Sequence, residues 1–227
     1  MVLHIYTPTW FYGFDSIFEV VAVIVGILIA YFAYKTYKYT SERRYLHFSG
    51  AFFLVAAAFL TNILTYTIFY YGRPISDSNQ IAGEAYWYLY SRFAGITNIG
   101  NFISITLMLF AFLIMFLSVY NIKDKVINFL FVYFIIISVL YSKHSFIFFH
   151  GTLLVLTSLI FANYYKKYLE KKTRNRGFVA SSFFIMAASQ LFFVIGAFSG
   201  IIFVTAHTVQ LLGYLVLLVT IIQVLKK

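Results

Sequence analysis

Apolar runs long enough to cross a bilayer alternate with short polar turns along almost the whole chain. A bilayer core needs roughly 20 apolar residues per helix. Seven stretches approach or exceed that length, at about 14–34, 46–68, 93–120, 126–142, 145–165, 178–198 and 205–225. The fourth is the shortest and ends at Lys143-His144. The sixth and seventh run together with no charged residue between Arg176 and Lys226, too far for one crossing. The pattern therefore predicts a turn near Ser199-Gly200, and Gly196-x-x-x-Gly200 reads as that turn rather than as a helix-packing motif. The longest polar loop, about Gly72 to Ala85, leads into the aromatic run Tyr86-Trp87-Tyr88-Leu89-Tyr90. A helix from 86 to 120 would be about 50 Å long, so it either projects beyond the membrane or begins with an interfacial segment.

Charge gives the spans a direction. With the polar segments numbered from the N-terminus, 14 of the 17 Lys and Arg fall on even ones: Lys35, Lys38, Arg43, Arg44, Lys123, Lys125, Lys166, Lys167, Lys171, Lys172, Arg174, Arg176, Lys226 and Lys227. Only Arg73, Arg92 and Lys143 fall on the odd side or its edge. Short basic loops stay in the cytoplasm, so the expected topology is N-out and C-in. Trp10 and Trp87 both fall on the outer side, as an aromatic belt requires. The first 13 residues carry no Lys or Arg, so the first apolar run reads as a span and not as a cleaved signal peptide.

Composition agrees with a lipid-solvated protein. Hydrophobic residues make up 62% of the chain and charged residues 11%, against about 45–50% and about 25% in soluble domains. The net charge of +10 is explained by the loop asymmetry and by anionic inner-leaflet lipids as partners, not by nucleic acid. With no Cys, disulfides, thiolate nucleophiles and Cys-ligated metal are excluded.

A shift of 131 residues lays the first two spans on the fifth and sixth without a gap, with 12 identities in 43 positions. Phe18 falls on Phe149, Leu28-Ile29 on Leu159-Ile160, Tyr34-Lys35 on Tyr165-Lys166, Tyr37 on Tyr168 and Arg43 on Arg174. Phe52-Phe53 falls on Phe183-Phe184, Ala56-Ala57 on Ala187-Ala188, and Leu60 on Leu191. The alternative is chance matching of biased membrane composition. The expected fold is an all-α membrane protein of seven transmembrane helices in one domain, residues 1–227. Within it, repeat A covers about 14–120, a linking helix about 126–142, and repeat B about 145–225. This 3+1+3 parallel arrangement, with both units in one orientation, resembles the SWEET and PQ-loop transporters. Their Pro-Gln pair is absent: the only prolines are Pro8 and Pro74. The likeness is one of architecture, which does not carry function.

Ionisable groups inside spans are costly and stand as functional candidates, with structural pairing as the competing explanation. Asp15 and Glu19 lie one turn apart, and Ala22, Gly26, Ala30 and Ala33 continue their helical face, which predicts an inward-facing stripe. The repeat alignment puts Glu19 on His150. His207, Gln210 and Tyr214 share a face at i, i+3 and i+7, Arg92 precedes Asn98 and Asn101 on the third span, and Asn62 and Gln190 lie in the second and sixth. All fall toward the expected outer half. They could line an outward chamber that binds a polar solute or relays protons, with Glu19 and His150 as paired ligands, Arg92 as counter-charge, and His207 with Gln210 as the other wall. His150 and His207 are placed where a bis-His haem or a zinc ion is geometrically feasible, but no ligand motif supports either, and no cofactor or metal is expected. The segment Tyr37-Lys38-Tyr39-Thr40-Ser41-Glu42-Arg43-Arg44 reads as a charged loop anchoring topology or docking a cytoplasmic protein.

Absent motifs narrow the field. The seventh span has no Lys for a retinal Schiff base, and neither His-Glu-x-x-His, Gly-x-Ser-x-Gly nor a Walker loop occurs. Catalysis is not expected. The stretch Phe14-Asp15-Ser16-Ile17-Phe18-Glu19, with Tyr34-Lys35-x-Tyr37-Lys38-x-Thr40-x-Glu42-Arg43-x-Tyr45-Leu46, resembles the opening of small archaeal polytopic membrane proteins over the first quarter of the chain. That resemblance implies a prokaryotic cell membrane and no assigned activity. The expected function is a small-solute or proton transporter. The alternative is a non-catalytic sensor or an accessory or scaffold subunit of a membrane complex.

Overall fold

The computed structural model describes residues 14–71, 83–122, 124–142, 146–196 and 198–225. Seven helices occur among them: α1 Phe14–Thr40, α2 Arg43–Tyr71, α3 Gly83–Tyr120, α4 Lys125–Ser142, α5 Phe146–Glu170, α6 Arg174–Gly196 and α7 Gly200–Leu225. All seven are long and apolar enough to cross a membrane, which is compatible with a multi-pass membrane protein. No strand occurs among the described residues.

Several helices outrun the apolar stretches that predicted them. The segment 37–44, read as a loop, is helical except at Ser41 and Glu42. Likewise α5 continues through its basic end to Glu170. Lys, Arg and Glu are good helix formers, so backbone hydrogen bonding continues where hydrophobicity stops. At 38 residues, α3 is about 57 Å long, well beyond a hydrocarbon core of about 30 Å.

Local chemistry ends the helices. Asn121 takes the left-handed conformation, φ 54°, while Ile122 N–H donates to the Leu117 carbonyl at 3.2 Å and Asn121 N–H to that of Ser118 at 3.4 Å. This is the bonding of a Schellman cap. Asp124 then starts α4, its Oδ1 accepting from the Val126 N–H at 2.7 Å. The α6–α7 turn is at Phe198-Ser199, as expected, with the Ser199 carbonyl accepting from Phe203 N–H at 3.1 Å. A Cβ on Gly196 would come within 3.0 Å of the backbone of Phe203, so this reversal requires glycine.

The helices form a ring in the order α1, α2, α3, α5, α6, α7, with α7 closing onto α1, while α4 lies outside against α3 and α5. Position explains the burial of α4, which covers only Ile135, Val139 and Ser142 and exposes Val126, Phe129 and Phe134. The ring's interior is aromatic. Phe52, Phe112 and Phe183 are fully buried, and Phe52 and Phe59 of α2 meet Tyr214 of α7 edge-on at 6.2 and 6.1 Å.

Candidate functional site

Two polar regions stand at opposite ends of the ring. The first is the group foreseen in the sequence. On α1, Glu19, Ala22, Gly26, Ala30 and Ala33 are all buried, so the small-residue face turns inward and takes the carboxylate with it. Asn62 of α2 donates through Nδ2 to Glu19 Oε1 at 3.4 Å. On the other side of the ring, His150 of α5 is buried with its Nδ1 2.8 Å from Oε1 of Gln190 on α6. Gln190 Nε2 in turn approaches Ser189 Oγ at 3.4 Å.

Phe193 lies between the two histidines. It stacks on His150 at 4.3 Å and meets His207 edge-on at 4.8 Å. Phe146 and Phe203 complete the aromatic surround, and Phe18, beside Glu19, reaches His207 at 6.5 Å. Gln210 is buried and donates to the Tyr214 hydroxyl at 3.3 Å.

Glu19 and His150 were expected to face each other as a pair. Each instead takes an amide from the helix that follows it, because α1 packs chiefly on α2 and α7, and α5 on α3 and α6. Asn101 is half-buried, whereas Asn98 is exposed and stands apart from the group. Asp15 and Arg92 lie on helical backbone, but their side chains are outside the described residues, so the expected counter-charge falls there too. Among the described residues no cluster of three or more His, Asp or Glu could hold a metal.

The second region was missed by sequence reasoning. At the end of the bundle bearing the α1–α2 and α5–α6 turns lies a cavity of about 290 Å³. All six ring helices line it: Ala33 and Thr36 from α1, Arg44, Tyr45 and Phe48 from α2, Ser118 and Val119 from α3, Tyr164 and Lys167 from α5, Arg176 and Val179 from α6, and Leu217 to Val224 from α7. Since α4 contributes nothing, the cavity sits on the axis of the ring. It opens at the basic end, where the Arg44 side chain is 63% exposed.

Three of the lining residues are cations and none is acidic. Arg176 donates through Nη1 to the Lys167 carbonyl at 2.9 Å, which fixes its guanidinium over the last turn of α5. The Lys167 ammonium lies 5.5 Å from the Tyr164 ring centroid, a cation–π contact, and 3.5 Å from the Val119 carbonyl. Arg44 is held by Glu42 at 2.8 Å. In sequence these cations read only as topology anchors.

No protein-family model, no curated protein and no solved structure matches the chain.

Proposed function

We propose that this chain is a small-solute transporter of a prokaryotic cell membrane, built as two parallel three-helix units joined by α4. The observation that carries this reading is the axial cavity. The shift of 131 residues that aligns the repeats turns Ala33, Thr36, Tyr45 and Phe48 into Tyr164, Lys167, Arg176 and Val179. All eight line the same cavity. A chamber walled by equivalent positions of two repeats is where transporters of this construction hold their substrate. The pairs Tyr34–Tyr37 and Tyr165–Tyr168, also related by the shift, support it further, with centroids 6.2 and 6.4 Å apart and planes at 39° and 38°.

In this reading the basic end faces the cytoplasm and the chamber is open inward. The Glu19–Asn62 and His150–Gln190 pairs, packed with Phe193, Phe203 and His207, form the closed outer half. Buried ionisable groups at a closed gate are candidates for proton coupling. Passage through the outer half requires these two pairs and the aromatic rings between them to separate.

The test is solute-dependent proton flux in proteoliposomes. Wild type is expected to conduct, and Glu19→Gln to conduct at a tenth of its rate or less. Flux absent from both would remove the transport reading. A second reading, an accessory or scaffold subunit, draws on the aromatic packing around His150, which gives those polar groups a structural role.

A further inference from the structure

The axial cavity combines a cationic mouth with an apolar floor. Arg44, Lys167 and Arg176 stand at the basic end, whereas Phe48, Val179 and Leu217 line the wall. Arg44 and Arg176 both act electrostatically on Lys167, and the nearest opposing charge there is Glu170. Glu170 is exposed and does not line the cavity, and Glu42 is occupied with Arg44 outside it. Like charges gathered in a partly desolvated site repel one another, and an anion of high charge relieves that repulsion most. Arg guanidinium forks match phosphate oxygens, and Lys adds a point charge. The volume of about 290 Å³ sits at the lower end of small-molecule pockets, roughly 300–1,000 Å³.

We propose that the cavity binds a phosphate ester carrying an apolar group, with the phosphate among Arg44, Lys167 and Arg176 and the apolar part against Phe48, Val179 and Leu217. This names the substrate class of the chamber in the transport reading, yet the binding site stands on its own geometry. The same chemistry occurs in a soluble monoester and in the headgroup of an anionic phospholipid.

Native mass spectrometry and thermal-shift titration of the full chain in neutral detergent distinguish them. Phenyl phosphate is expected to bind saturably at one per chain, at least tenfold tighter than phenol or inorganic phosphate. Competition by dihexanoyl phosphatidylglycerol, with none by dihexanoyl phosphatidylcholine, assigns the site to a lipid headgroup, and failure of both to compete assigns it to a soluble ester. Lys167→Gln and Arg176→Gln are expected to weaken binding at least tenfold, and Lys171→Gln, an exposed cation outside the cavity, to leave it unchanged. Should loss of the Arg176 bond unfold α5–α6, Val224→Trp at the mouth blocks entry with all charges kept. The proposal is overturned if no saturable binding occurs, if phenol binds as well as phenyl phosphate, or if Lys171→Gln is as damaging as Lys167→Gln. Binding without flux leaves the site standing and removes only transport.

Discussion

His150 lies face to face on Phe193, centroids 4.3 Å apart and planes 21° apart, with its Nδ1 2.8 Å from Gln190 Oε1. An amide oxygen only accepts, so His150 carries a proton on Nδ1. The aromatic contact and the hydrogen bond hold the imidazole from two sides, and both come from α6.

That bond sets the first prediction. Gln190→Leu leaves a buried imidazole N–H without its acceptor, which costs about 1–3 kcal/mol. In a double-mutant cycle with His150→Phe, the coupling should be about 0.5–2 kcal/mol, the range for polar pairs between membrane helices. Unfolding in mixed micelles measures it, and a coupling of zero would mean that the pair is not joined.

Glu19 separates folding from function. Its Oε1 accepts from Asn62, and a glutamine at 19 keeps an acceptor there while removing the titratable group. Glu19→Gln should therefore stay within about 0.5 kcal/mol of wild-type stability, whereas Asn62→Leu, which removes the donor to a buried carboxylate, should cost about 1–3 kcal/mol. If Glu19→Gln destabilises as much as Asn62→Leu, the carboxylate serves the fold.

Much of the fold was legible in the sequence. Apolar length located all seven helices, the uncharged stretch after Arg176 forced a turn that falls at Phe198-Ser199, and the small residues after Glu19 marked the inward face of α1. Helix ends were not legible, because the Tyr- and Lys-rich termini of α1 and α5 stay helical beyond their apolar stretches. The basic cavity was hidden for a different reason. Six helices each contribute a few residues to its wall, so no stretch of sequence is enriched in them. At its key positions the two repeats differ: Thr36 against Lys167 and Tyr45 against Arg176. An alignment read through identities passes over residues whose difference makes the site.

Topology can be tested directly because the chain has no Cys. A reporter cysteine at Phe198, which is 74% exposed between α6 and α7, should react with an impermeant thiol reagent added outside intact cells. Reporters at Ser41 and Lys171, exposed in the two basic turns, should react only after permeabilisation. Labelling of all three from one side would contradict an even number of crossings reversed by charge and would turn the basic cavity away from the cytoplasm.

Two glycines give opposite expectations under the same substitution. At Gly196 an added methyl would stand 3.0 Å from Cα and N of Phe203. Those are backbone atoms held by the Ser199–Phe203 hydrogen bond, so the α6–α7 turn must shift to admit it. Overpacking of this kind costs about 1–3 kcal/mol. At Gly50, on the exposed side of α2, nothing lies within 4 Å of the added carbon. There alanine removes only the helix penalty of glycine, so Gly50→Ala should be neutral or stabilising by up to about 1 kcal/mol. Thermal unfolding of both variants in one detergent compares them. If Gly196→Ala unfolds at or above the temperature of Gly50→Ala, the two helices do not meet at this turn as closely as the backbone contact requires.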